Sequence, residues 1–314
     1  MYIQTISHYL PGKVVPNSYF TELNGLTDDW IRERTGIRER RRTEAGENTH
    51  TMAIEAIKAG LPHLPYPVSE IGLVVAATYT PYDTVSTLAH AVQNFIDVAD
   101  IPAVSLSSAC SSLLNGLEVA EGYFAMGKAD KALVVVSDNN SAYSDDHDKV
   151  AGHLWGDGSA AFFLSKERVT DQDIEIQEII TAGAATVGRN IEGVTLRPNH
   201  GGLHMAYGKD VFMNACVYME EVSRRILKKH GYGPEDVSYF APHQANYRIS
   251  RQVLRNMEVP EERLLSNIEV LGNTGSAGCG IALSQNRHRF QTGDLLLMAV
   301  FGGGYSYGAM LMKA

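Results

Sequence analysis

The 314-residue chain has only three cysteines, Cys110, Cys216 and Cys279, odd in number and widely spaced. That excludes a disulfide framework and points to free thiols. There is no C-x-x-C, no H-E-x-x-H and no clustered Cys/His set, so a structural metal site is not expected. No apolar run approaches the roughly 18 residues of a membrane span. The start, MYIQTISHYLPG, lacks the basic residues and long apolar stretch of a signal peptide, so a cytoplasmic location is expected. Basic residues are in deficit: 27 Lys and Arg against 36 Asp and Glu give a net charge of −9. This argues against a general nucleic-acid binder but leaves room for a local basic patch. What is present is ordinary. Hydrophobic residues at 44% and charged residues at 20% describe a soluble globule. The length suits one large domain or two closely packed halves.

Strand-like and helix-like segments alternate without a linker, which indicates an α/β architecture. Residues 71–80, 131–140, 159–166, 237–243, 295–301 and 308–314 read as strands. Residues 84–96, capped by Thr84, read as a helix, as do 211–231 (ending at Gly231), 246–257 and 275–290. The two halves show the same order of parts. IGLVVAATYT is echoed by VSYFAPHQAN, SACSSLLNGLEVA by NTGSAGCGIALSQ, and KALVVVSDNN by DLLLMAVFGG. Either this is an internal repeat, with halves 1–170 and 171–314, or it is the echo that any α/β chain produces.

Cys110 sits where the strand-like AVSLSS gives way to SSLLNGLEVAEGYFAMG, with Leu113, Leu114, Leu117, Ala120 and Tyr123 at helical spacing. Alternation over 103–108 suggests a short buried strand, and Gly127 is placed to stop the helix. A cysteine at a helix N-terminus feels unpaired N–H groups and the positive dipole end, which favour the nucleophilic thiolate. The alternative is an inert core cysteine. Cys216, mid-helix, and Cys279, between glycines, compete for the role but read as buried.

Three further segments carry chemistry: APHQAN with His243 at a strand end, GNTGSAGCG with Asn273 in a Gly-rich turn, and FGGGYSYG with bare backbone at Gly302 to Gly304. Together with DDWIRERTGIRERR (28–41) and WGDGSAA (155–161), in this order, they resemble the β-ketoacyl-acyl-carrier-protein synthase III family of the thiolase superfamily. The resemblance runs nearly the whole chain. It implies a thiolase-like five-layered αβαβα fold of two pseudo-repeated halves, homodimerisation, and a Cys-His-Asn site. The implied reaction loads an acyl group from an acyl-CoA onto Cys110. A decarboxylative Claisen condensation with malonyl-acyl carrier protein follows, in the initiation of fatty acid biosynthesis. Alternatives are a specialised condensing or acyl-transfer relative in secondary metabolism, or a non-catalytic scaffolding partner.

The chemistry suits these residues. A thiolate attacks and leaves well from thioesters. His243 Nε2 and the Asn273 amide offer two donors to an enolate oxygen. The resemblance implies that the N–H groups of Cys110 and Gly303 receive the acyl-transfer oxyanion. It further implies that Trp30, Arg34 and Lys149 contact the coenzyme A nucleotide. Asn246 would contact the pantetheine arm, Gly208 and Phe212 would line the tunnel, and Arg248 would recognise phosphate or the carrier. Read without the family, Trp30 is plain core and Arg34 a surface charge. Arg248, Arg251 and Arg255 share one helix face, either a dock for an acidic carrier protein or a solvated face. No cofactor is implied beyond coenzyme A thioester as substrate, and neither nucleic acid nor membrane is an expected partner.

The chain departs from the family pattern in four places. Ser111-Ser112 follows the nucleophile where a small residue and Gly are usual, and Lys149 stands where an Arg is common. Val85 lies near the usual place of a Phe that reaches across the dimer. GGLHMAYG replaces a longer segment. These departures bear on the primer and the carrier rather than on the reaction type.

Overall fold

A computed structural model describes residues 1–314, the side chain of residue 190 excepted. Nine strands form one hydrogen-bonded sheet in the order Tyr239–Pro242, Leu295–Gly302, Ser306–Lys313, Ile174–Gly183, Tyr2–Tyr9, Gly158–Ser165, Lys131–Asp138, Val74–Ala77, Ala103–Leu106. The join between its two parts is slight: Tyr2–Tyr9 meets Ile174–Gly183 at only two residue pairs, Tyr2 with Glu175 and Ile3 with Ile174. On either side of that join the topology repeats. Val74–Ala77 runs parallel to Lys131–Asp138, which turns back antiparallel into Gly158–Ser165. Tyr239–Pro242 runs parallel to Leu295–Gly302, which turns back antiparallel into Ser306–Lys313. Even the edge is echoed, since an isolated parallel bridge from Phe240 to Leu264 stands where Ala103–Leu106 pairs with Val74–Ala77.

Helices separate and cover the two parts, giving the αβαβα layering. Thr49–Gly60 and Leu88–Ile96 cover the outer face of the first half; Gly208–Lys229 and Tyr247–Met257 cover that of the second. Ser112–Ala125 and Gly278–Asn286 fill the middle layer. Their apolar residues, Leu113, Leu117, Ile281 and Leu283 among them, are fully buried against Val134, Phe162 and Val300. A Cβ on Gly280 would come within 2.8 Å of the Ala160 Cβ, so the small-residue helix start permits the close packing.

Several expectations move. The helix at 84–96 begins at Leu88, because the Asp83 carboxylate accepts from the Val85 and Ser86 N–H groups and holds Thr84 in a turn. The strand before Cys110 is not buried. It is an edge strand, paired on one side only, with Ser105 exposed. Gly127 and Gly231 do end their helices, at φ 67° and 77°.

Candidate active site

Cys110, His243, Asn273, Gly302 and Gly303 line one small, apolar cavity of about 30 Å³, together with Trp155 and one flank of the helix Gly208–Lys229. A second cavity of about 230 Å³ also meets Cys110, lined by Tyr79, Ser107, Trp155 and Val194 among others. The fold brings these residues together from distant segments, and several are pinned by identifiable bonds.

Cys110 follows Ala109, whose φ of 49° puts a non-glycine residue in the left-handed region. The Ser112 hydroxyl braces this strained turn, accepting from the Ser108 N–H at 2.8 Å and donating to the Ala109 carbonyl at 2.6 Å. His243 ends its strand with its N–H donating to the Ala299 carbonyl at 2.7 Å. Gln244 then ties that corner to the approach to Asn273: its Oε1 accepts from the N–H groups of Asn267 and Ile268, at 2.8 and 3.1 Å. Asn273 is held through its backbone, the N–H to the Leu154 carbonyl at 2.8 Å and the carbonyl from the Gly156 N–H at 3.0 Å. Its Oδ1 accepts from the Gly275 N–H at 3.0 Å, which leaves the amide NH₂ as the end free to serve the cavity. Arg40, fully buried, donates to the carbonyls of Val15 and His153 and so anchors the WGDG loop from beneath. A Cβ on Gly302 would lie 2.7 Å from the Cys110 nitrogen, so only bare backbone fits there.

Burial sets the electrostatics. It pushes the Cys110 thiol up to about 12, with Asp138 adding to the rise and a hydrogen bond from Tyr79 opposing it. The expected thiolate is thus not the resting form. The first N–H groups of the helix are also engaged elsewhere, Ser111 on the Ser108 carbonyl and Ser112 on the Ala109 carbonyl, at 3.2 and 3.1 Å. Burial also drives His243 down to about 4, so its ring is neutral at pH 7, and its Nδ1 is enclosed without a partner. Cys216 and Cys279 are buried in core clusters, and burial raises both thiols as well. Neither lines the cavity.

The remaining sequence candidates lie outside that cavity. Trp30 is half-buried, with the Arg34 guanidinium 4.4 Å above its ring and His153 edge-on at 5.5 Å. Lys149 is exposed in a turn. Asn246 caps the next helix, its Oδ1 accepting from the Arg248 N–H at 2.8 Å. Gly208 opens the long helix, and Phe212 is half-buried on it. Val211, Ala215 and Met219 of the same helix are the residues that line the cavity. Their spacing of four was visible in the sequence, but which face meets Cys110 was not. Arg248 and Arg255 are exposed, whereas Arg251 is engaged by Glu261 at 3.2 Å.

The models for 3-oxoacyl-[acyl-carrier-protein] synthase III match in two parts, residues 104–185 and the C-terminal part, 227–314. The β-ketoacyl-[acyl-carrier-protein] synthase III of Aquifex aeolicus is 34% identical over 308 residues, 97% of this chain and 96% of that protein. The chain belongs to the β-ketoacyl-acyl-carrier-protein synthase III family. Its fold agrees: a crystal structure of the Aquifex aeolicus 3-oxoacyl-[acyl-carrier-protein] synthase III superposes with a TM-score of 0.93, at 32% identity, covering 100% of this chain and 99% of that one. The priming β-ketosynthase of the R1128 polyketide pathway superposes with a TM-score of 0.90 at 28% identity, covering 99% of this chain and 95% of that one. As a synthase III family member, the protein is an acyltransferase of the condensing type with the thiolase-like αβαβα fold.

Proposed function

We propose that the protein transfers an acyl group from an acyl-CoA to Cys110 and condenses it with malonyl-acyl carrier protein. The products are 3-oxoacyl-carrier protein, coenzyme A and CO₂, the step that initiates fatty acid biosynthesis. The observation that carries this reading is the shared cavity of Cys110, His243, Asn273 and the Gly302-Gly303 backbone. In the first half-reaction Cys110 Sγ attacks the thioester carbonyl, and its proton leaves with the coenzyme A thiolate. The oxyanion accepts from the N–H groups of Cys110 and Gly303. In the second, the malonyl thioester loses CO₂. Its enolate oxygen accepts from His243 Nε2–H and the Asn273 NH₂. The enolate carbon then attacks the Cys110 thioester, and the sulfur departs and regains a proton. A neutral His243 suits this work, because it donates without carrying a charge into an apolar cavity. The apolar walls also keep water from the thioester. No step as written calls for a metal or redox group.

The halves 1–170 and 171–314, the cytoplasmic location and the homodimer belong to the same reading. The open edge of Ala103–Leu106 and the exposed Tyr82 and Val85, 65% and 86% accessible, support a second copy against that edge. Trp30, Arg34 and Lys149 would hold the nucleotide, Asn246, Gly208 and Phe212 the arm, and Arg248 the carrier. A priming role in secondary metabolism is the second reading, on the likeness to the R1128 enzyme. A panel of acyl-CoAs followed by intact-mass detection tests the proposal: wild type gains one acyl group and Cys110→Ser none. No acylation from any acyl-CoA would overturn it.

A further inference from the structure

Two hydroxyls that the condensation does not itself use lie just behind the nucleophile. Ser111, the residue after Cys110, is 1% exposed, and its Oγ lies 2.8 Å from Ser306 Oγ, 195 residues away in sequence. Ser111 Oγ also lies 2.7 Å from the Ser108 carbonyl and 2.9 Å from Asn115 Oδ1. Ser306 Oγ lies 3.1 Å from that same Ser108 carbonyl and 3.3 Å from the Gly303 carbonyl. Each hydroxyl has one proton. Two protons make at most two of these bonds. With Ser111 donating to Ser306 Oγ and Ser306 donating on to a carbonyl, of Ser108 or of Gly303, the hydroxyl pair ties the turn that carries Cys110 to the loop that carries Gly303.

We propose that the Ser111–Ser306 hydroxyl pair is a positioning device, fixing the separation of the Cys110 and Gly303 N–H groups that receive the acyl-transfer oxyanion. This rests on the reading above, in which those two groups form that hole. The backbones leave no slack, since a Cβ on Gly302 would meet the Cys110 nitrogen. A small shift of either loop would therefore change the hole directly. The enolate donors, His243 and Asn273, are anchored elsewhere, through Ala299, Gln244, Leu154 and Gly156. The pair should thus matter to one half-reaction and not to the other.

The test uses the full-length protein with Ser111→Ala, Ser306→Ala, the double variant and Ser306→Thr. Cys110 acylation by acyl-CoA and decarboxylation of the malonyl thioester are timed separately. Each alanine variant should slow acylation on the order of 10-fold or more, mainly in kcat, and leave decarboxylation within twofold of wild type. The double should be no slower than either single, because one contact is lost in all three. Ser306→Thr, which keeps the hydroxyl, should restore acylation. Equal losses in both half-reactions, unchanged acylation, or additive losses in the double would overturn the proposal. If an alanine variant misfolds, the threonine variant decides alone: it must acylate at the wild-type rate. Wild type that forms no Cys110 adduct would overturn the function and not this inference alone.

Discussion

A thiol raised to about 12 and an imidazole lowered to about 4 are both neutral at pH 7, so the resting pair is uncharged. Cys110 should therefore react with iodoacetamide slowly at neutral pH. The rate should climb about tenfold per pH unit from 7 to 9, following the thiolate fraction, and reach no plateau there. A plateau below pH 8 in the alkylation profile would show a resting thiolate and contradict the burial argument. The polar donors separate by step. His243→Ala and Asn273→Ala should each lose about 2.7–4 kcal/mol of transition-state stabilisation in malonyl decarboxylation. Acyl transfer, served by backbone N–H groups, should lose much less. Stopped-time assays of the two half-reactions check this, and equal losses would mean that His243 also deprotonates Cys110. Gly302→Ala should abolish acylation, since its Cβ would lie 2.7 Å from the Cys110 backbone nitrogen and 3.2 Å from the Cys110 Cβ.

The helix Tyr247–Met257 begins four residues after His243 and presents arginines to solvent near the site. Two of the three are free to meet an acidic carrier, since Arg248 and Arg255 are exposed while Glu261 holds Arg251. Reversing Arg248 and Arg255 to Glu should weaken condensation with malonyl-carrier protein, mostly in association rate, with little effect on acylation by acyl-CoA. Raising salt should mimic the reversal, because exposed charges are screened over about 8–10 Å at physiological ionic strength. Unchanged carrier kinetics in the double reversal at low salt would leave only a solvated face. The elements themselves were largely legible in the sequence. Period and punctuation located the helix after Cys110, the long helix ended by Gly231, and the strands that end at His243 and Gly302. Within the candidate set, His243 follows Pro242 and Asn273 follows Gly272, whereas Cys110 carries no such mark and was singled out by its strand-to-helix junction and by the order of motifs that resembles the family. What escaped depends on through-space packing. Periodicity cannot say that Val211 rather than Phe212 faces Cys110, that Glu261 folds back on Arg251, or that Ser111 meets Ser306. Nor could the helix dipole, read from sequence, foresee that Ser108 and Ala109 carbonyls consume the N–H groups it would present.

At the scale of the molecule, the two halves close over a middle layer, and that closure buries polar and titratable groups at the junction. Asp138 of the first half accepts from the Ser276 N–H and hydroxyl of the second, at 2.7 and 2.6 Å, and is itself fully buried. His243 and His153 are buried with it, and burial lowers both to about 4, with the Arg40 charge adding to the effect at His153. Between pH 6.5 and about 4, the unfolded chain then binds protons on these rings that the folded one does not. Stability rises with pH wherever the unfolded state holds more protons, so acidification through this window should cost stability, roughly 3 kcal/mol for a ring as buried as His243. The buried carboxyl of Asp138 acts with the opposite sign. Burial raises it, so the folded state takes its proton at a higher pH than the unfolded chain does, and that uptake opposes the loss on acidification. The melting temperature should therefore fall as pH drops from 6.5 toward 4.5. His153→Phe should shallow that slope. The ring packs edge-on against Trp30 and its Nδ1 has no partner, so the substitution removes the titration with little loss of contact. Thermal unfolding of wild type and His153→Phe across this range decides the point: equal slopes, or a melting temperature that holds steady down to pH 4.5, would show that these rings do not govern acid stability.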